Sequence, residues 1–141
     1  MIISIEKEVE NSIATAIATA GVSGVYVYTS TVDTARILPF VSIQAEISSE
    51  EIAPFTGIFD LTATISFVAR ADTSSNEDYD SKFFEIQQAF YTDPNLASQM
   101  TTASDSLLFY IADIKNITQR VVASTRTWAR DIKMDIKATA K

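Results

Sequence analysis

The chain has 141 residues, of which 47% are hydrophobic and 21% charged, and it carries a net charge of −7. That length supports one two-layer core, and three Gly and three Pro leave little for flexible linkers, so a single domain over 1–141 is expected. The complete absence of Cys and His removes disulfides, the usual zinc, copper and haem ligand sets, Ser-His and Cys-His nucleophile pairs and the commonest general base.

Residues 3–20 place Ile5, Val9, Ile13, Ala16, Ile17 and Ala20 at three- and four-residue steps, the spacing of one apolar stripe along a helix. Glu6, Lys7, Glu8, Glu10 and Asn11 are assigned to the opposite, polar face. Early acids suit the positive end of the helix dipole, and Gly21 is a fitting terminator. The period then changes to two. Val25-Tyr26-Val27-Tyr28-Thr29 is β-branched and aromatic, hence a short strand, with Tyr26 and Tyr28 on one face opposite Val25 and Val27. Residues 31–38 read as a loop ending at Pro39. Val41-Ser42-Ile43-Gln44-Ala45-Glu46-Ile47 alternates strictly, and 48–54 reads as a connection.

Residues 59–71 form a longer alternating run. Phe59, Leu61, Ala63, Ile65, Phe67 and Ala69 point one way and Asp60, Thr62, Thr64, Ser66 and Arg70 the other, the pattern of an antiparallel sheet with one covered and one polar face. After a Ser-, Asn- and Asp-rich loop at 72–78, residues 79–91 place Tyr79, Phe83, Ile86 and Phe90 at helical steps. Thr92-Asp93-Pro94-Asn95 breaks that helix, and 96–100 makes a further short turn. Residues 107–112 and 117–124 read as two strands. The last run, 126–138, alternates Trp128, Ile132, Met134 and Ile136 against Ala129, Asp131, Lys133, Asp135 and Lys137. The expected fold is α+β: a mainly antiparallel sheet packed against two helices, in the order α-β-β-β-α-β-β with an optional eighth element, a strand.

No run approaches the roughly 18–20 apolar residues of a membrane span. The opening Met1-Ile2-Ile3-Ser4-Ile5-Glu6-Lys7 lacks the basic start and apolar core of a signal peptide. No membrane partner is expected, and the chain should stay in the compartment where it is made. The acidic balance disfavours wrapping by nucleic acid, which needs clustered Lys and Arg; it suits a surface past which DNA slides without sticking.

No constellation carries catalysis. Glu46, Glu50 and Glu51 match a solvated strand end better than a metal or acid/base site. Asn76-Glu77-Asp78-Tyr79-Asp80 lacks the ligand spacing and central Gly of a calcium loop, and Asp78 is better placed as a helix N-cap. Ser81-Lys82 is not the spaced Ser-x-x-Lys pair, and neither a GxGxxG nor a Walker motif occurs. Asp131 and Asp135 share a face with Lys133 and Lys137, a charge-balanced pattern. The expectation is no enzyme, no catalytic residue, no cofactor and no metal. Candidate interface residues are Arg120, Arg126, Trp128 and Arg130, with Arg70, Tyr26 and Tyr28, because Arg and aromatics are enriched where proteins meet; solvated strand positions are the plain alternative for the arginines.

These elements together resemble the tail terminator (tail completion) proteins of tailed bacteriophages and their relatives at the head–tail junction. The likeness spans nearly the whole chain: the helix over 3–20, the strand entry Pro39-Phe40-Val41-Ser42-Ile43, the long strand over 57–71, the helix over 81–90 and the closing Arg126-Thr127-Trp128-Ala129-Arg130-Asp131-Ile132. It lies in architecture, with no single diagnostic motif. The resemblance implies a structural virion protein at the tail–neck junction, made in the host bacterial cytoplasm. Its copies would form a homo-oligomer, a hexameric ring that caps the tail tube protein, stops polymerisation and meets a head connector or neck protein and, in contractile tails, the sheath protein. DNA would pass through without specific binding. Another neck component (a head-closure or adaptor protein), a small module binding an apolar ligand between sheet and helices, and a histidine-free hydrolase are the alternative readings.

Overall fold

A computed structural model describes residues 5–22, 24–29, 39–50, 58–70, 76–91, 96–104, 107–122 and 127–140. Its elements run α1 (Ile5–Thr19), β1 (Tyr26–Thr29), β2 (Phe40–Glu50), β3 (Ile58–Arg70), α2 (Asn76–Gln88), α3 (Leu96–Ala103), β4 (Leu107–Val122) and β5 (Thr127–Ala140). The five strands form one sheet in the order β1-β2-β3-β5-β4, antiparallel throughout except for the parallel β1–β2 pair. This is the expected α+β fold. The loop expected at 31–38 and parts of the connections expected at 48–54 and 72–78 fall outside the described residues.

β3 occupies the middle of the sheet, and its alternation fixes both faces. Leu61, Ala63, Ile65, Phe67 and Ala69 are buried, and across the ladders they meet Val41, Ile43 and Ala45 of β2 and Ile132, Met134 and Ile136 of β5. The helices lie on this face. Val9, Ile13, Ala16 and Ile17 of α1 and Tyr79, Phe83 and Ile86 of α2 are buried in the same core, with Leu96 and Met100 of α3. α1 ends as its sequence implies: Gly21 adopts φ +77°, and its N–H bonds the Ala18 carbonyl at 3.1 Å.

Three parts of the secondary structure differ from the sequence reading. The turn expected at 96–100 is a full third helix, giving the order α-β-β-β-α-α-β-β. Its Ser and Thr residues are indifferent helix formers; tertiary bonds hold it instead. The Thr101 hydroxyl accepts the Phe109 N–H at 2.9 Å, and the Ser104 hydroxyl just beyond α3 accepts the Leu107 N–H at 3.1 Å. The two strands expected at 107–112 and 117–124 are one continuous strand, β4. Register shifts at Tyr110 and Lys115 each insert an extra residue, so the helix-facing positions run Leu107, Phe109, then Ala112, Ile114, then Ile117, Gln119. A pattern that changes phase twice looks like two strands in the sequence. Asp78, expected as an N-cap, lies within α2, so 76–80 is the first helical turn and no loop.

The sequence also assigned Glu8 and Glu10 to the polar face of α1, whereas both are buried. Each has a specific partner. Glu10 accepts the Ala45 N–H at 3.0 Å, two residues beyond the point where β1 stops covering β2. Glu8 accepts from the Ser104 hydroxyl, which ties α1 to the α3–β4 junction. A buried backbone donor left without a partner costs about 1–3 kcal/mol. Glu10→Ala is therefore expected to lower the folding free energy by about that amount, and Glu10→Gln, which keeps an acceptor oxygen, by less. Urea denaturation checks this; equal losses would show that the negative charge, and not the acceptor, is what Ala45 requires.

Candidate assembly surface

The face of the sheet opposite the helices is uncovered among the described residues. Register places Glu46 of β2, Asp60 of β3, Asp131 and Asp135 of β5 and Asp113 of β4 on it, together with Lys133 and Lys137. All seven side chains are exposed or half-buried. Two of the carboxylates have neighbours that offset them: Asp131 accepts from the Ser66 hydroxyl at 2.6 Å, and Asp60 lies 3.9 Å from the Lys137 ammonium. Asp113 and Asp135 stand directly opposite one another on adjacent strands. Register puts Arg70 and Arg120 on this face as well, at the end away from Asp60, so five carboxylates face four basic residues in all and the acidic excess lies in the stretch of Glu46, Asp60, Asp113 and Asp135. Among the described residues no group of three or more Asp and Glu could hold a metal ion, and no helix is long and apolar enough to cross a membrane.

The candidate interface residues separate into three groups. Tyr26 and Tyr28 share the outer face, as their alternation implies, being paired with Phe40 and Ser42 while Val27 pairs with Val41. Their rings stack at 6.5 Å, Tyr28 meets the Phe40 ring edge-on at 5.9 Å, and Tyr26 is 51% exposed. Trp128 and Arg130 lie on the helix side, opposite Ala69 and Phe67. There the Trp128 ring is 5.2 Å from that of Tyr79, and the Arg130 guanidinium lies 5.1 Å from the Tyr79 ring centre and 4.9 Å from that of Phe83 while bonding Asp80. They fasten α2 to the sheet. For Arg70 and Arg120 only the backbone pairings are described, with Thr127 and Ala129; Arg126 lies outside the described residues.

Large apolar side chains missed as interface candidates by the sequence reading are exposed along β4: Tyr110 at 57%, Ile111 at 40% and Ile117 at 40%. By register Ile111 stands opposite Lys137 on the outer face and Ile117 opposite Ile132 on the helix side. Between β4 and the α2–α3 corner lies a cleft of about 540 Å³, walled by Phe90, Leu96, Ala97, Ile114 and Met134. Tyr91 and Tyr110 at its mouth are both more than half exposed, so it opens to solvent.

No family model matches the chain, and no curated protein matches it. Among solved structures it is similar to a chain of the virion of a native gene transfer agent particle, with 14% identity, 90% of this chain and 84% of that chain covered, and a TM-score of 0.48.

Because Arg130 and Trp128 have intramolecular partners, their substitution should register first in fold stability. Arg130→Ala is expected to cost about 1–2 kcal/mol, from two cation–ring contacts and a partly exposed ion pair. Asp80→Asn should cost less than about 1 kcal/mol because Asp80 is half exposed, and Arg130→Lys should not restore the loss, since an ammonium cannot lie flat on two rings. Chemical denaturation of the three variants checks the order; an Asp80 loss equal to that of Arg130 would assign the clamp to the ion pair instead of the rings.

Proposed function

We propose that this chain is a structural virion protein of a tailed phage, a tail terminator whose copies close into a hexameric ring at the tail–neck junction. The ring caps the tail tube, stops its polymerisation and presents a surface to the head connector, with the sheath as a further neighbour in contractile tails. The observation that carries the reading is the division of the sheet: the described helices cover one face, and the other is open among the described residues and carries an acidic stretch over Glu46, Asp60, Asp113 and Asp135. Repeated around a ring with that face inward, it makes a negative lumen that repels DNA phosphates and lets the duplex pass. The architectural resemblance read from the sequence supports the same role, and the site supports no catalytic chemistry that competes with it. The protein is read as a non-enzyme that works through protein–protein contacts.

Light scattering coupled to size exclusion is expected to give a discrete six-fold mass, and adding the protein to polymerising tube protein should hold tubes at fixed length. A monomer that also leaves tube growth unchanged would overturn the proposal; a ring that fails to cap would favour a head-closure or adaptor protein of the same neck. The lumen assignment has its own test. Substituting Glu46, Asp113 and Asp135 together with Lys should leave the ring mass unchanged but make the ring retain double-stranded DNA in a mobility-shift assay at low salt. Loss of the ring in that variant would place the acidic face at a subunit contact. The cleft beside β4 supports a second reading, an apolar ligand held between sheet and helices; its signature would be a ligand-dependent rise in melting temperature of a protein that stays monomeric.

A further inference from the structure

The two ends of the sheet are treated differently along their length. On the β1 side, β2 extends past β1, and there the buried Glu10 carboxylate takes the Ala45 N–H. Lys7 of α1 pins the last residue of β1 by donating to the Thr29 hydroxyl at 2.5 Å. On the β4 side, the first two donors of the strand, Leu107 and Phe109, are taken by Ser104 and Thr101, and the extra residues at Tyr110 and Lys115 interrupt the next stretch. Such devices blunt a strand edge against pairing. What they leave is β1 around Val27 and residues 116–122 of β4, a stretch without register shifts and beside which no strand lies among the described residues. Asn116, Ile117, Thr118 and Gln119 are exposed on both faces of their strand, as Tyr26 and Val27 are on theirs.

The register shows that these two open edges are level. Following the pairs across the sheet, Val27 leads through Val41, Phe67 and Arg130 to Gln119, and Tyr28 leads through Ser42, Ser66 and Asp131 to Thr118. By the same path Thr29 is level with Ile117. The directions also fit. β1 runs parallel to β2, and through the two antiparallel steps to β3 and β5 and the third to β4, β1 and β4 point in opposite senses. Copies related by rotation about an axis along the strands would therefore bring β4 of one against β1 of the next in the antiparallel sense, the more stable pairing.

We propose that β1 of one copy pairs with residues 116–122 of β4 in the next copy, joining the sheets edge to edge. The occupant of each open edge is a second copy because the two edges match in height, sense and facing: Val27 and Gln119 lie toward the helices, Tyr28 and Thr118 toward the outer face. The contact uses two different patches per copy, so it propagates head to tail and closes only as a ring. It rests on the ring reading above and names the surfaces that build it.

The chain contains no cysteine, so introduced thiols report without background. Val27→Cys combined with Gln119→Cys, or with Ile117→Cys for an offset of two residues, brings facing positions within disulfide reach. Mild oxidation should give a reducible ladder of covalent multimers up to the closed ring in the double variants, with each single variant remaining uncross-linked and circular dichroism unchanged. A multimeric mass with no cross-link in either double variant would overturn the edge pairing and leave the ring standing. A covalent dimer from Gln119→Cys or Ile117→Cys alone would overturn it in favour of a twofold β4–β4 contact. A protein that stays monomeric and uncross-linked at every concentration would overturn it as well, and the tube-capping assay would then decide the ring reading separately.

Discussion

The phase of β3 organises the molecule. It has paired strands on both sides, so the alternation of its thirteen residues is imposed on β2 and β5 through direct cross-strand partners. A shift of one residue in any of these ladders would send an apolar row to the outer face and an acidic one into the core. Because the buried residues of β3, from Leu61 to Ala69 at every second position, share one face, the three described helices pack there too. The small side chains of Ala45, Ala63 and Ala138 among the larger ones keep the buried face shallow enough for helices to rest on it. One-sided cover is thus a consequence of the central strand, and the bare outer face follows from it.

A one-sided sheet leaves two kinds of exposed surface, a face and two edges, and the chain handles them by different physics. The face carries charged and hydroxyl side chains through its middle, with Tyr26, Tyr28 and Ile111 on its two outermost strands. The edges carry backbone donors and acceptors that must be satisfied by water or by a partner. Part of each edge is closed from within by side chains of the helices and of the residue after α3: Glu10 at β2, and Thr101 and Ser104 at β4. These bonds do two things. They anchor α1 and α3 to the sheet in a fixed register, and they confine the open backbone to two short, level stretches.

The sequence made the fold legible wherever apolar periodicity and burial agree. Val9, Ile13 and Ile17 define α1, Tyr79, Phe83 and Ile86 define α2, and the alternation of β2, β3 and β5 needs no tertiary information. It was opaque where a long-range partner decides the outcome. Glu8 and Glu10 look like solvent-facing acids because nothing local announces that Ser104 and the Ala45 N–H will meet them. α3 is held by hydroxyl bonds to a strand that follows it, and β4 changes phase twice. For the candidate surface the composition singled out Arg, Trp and Tyr, yet periodicity could not distinguish an Arg130 lodged against two rings from an arginine offered to a partner. The exposure of Ile111 and Ile117 was hidden for a different reason: the extra residues in β4 set the face that each one takes, and nothing local announces them.

The chemistry of the outer face is harder to explain for a solitary domain than for a repeated one. Asp is disfavoured in strands, and like charges directly across a ladder are destabilising by up to about 1 kcal/mol; Asp113 and Asp135 are both. Thr at either position would suit the strand better and remain soluble. In one copy the field of such a pair is screened within about 10 Å at ordinary ionic strength. Arranged around a ring with the face inward, the same groups surround a narrow space and their fields add where a phosphate backbone would pass. A modest cost to each domain thereby becomes a property that only the assembly has, and the level edges of the sheet supply the geometry that would assemble it.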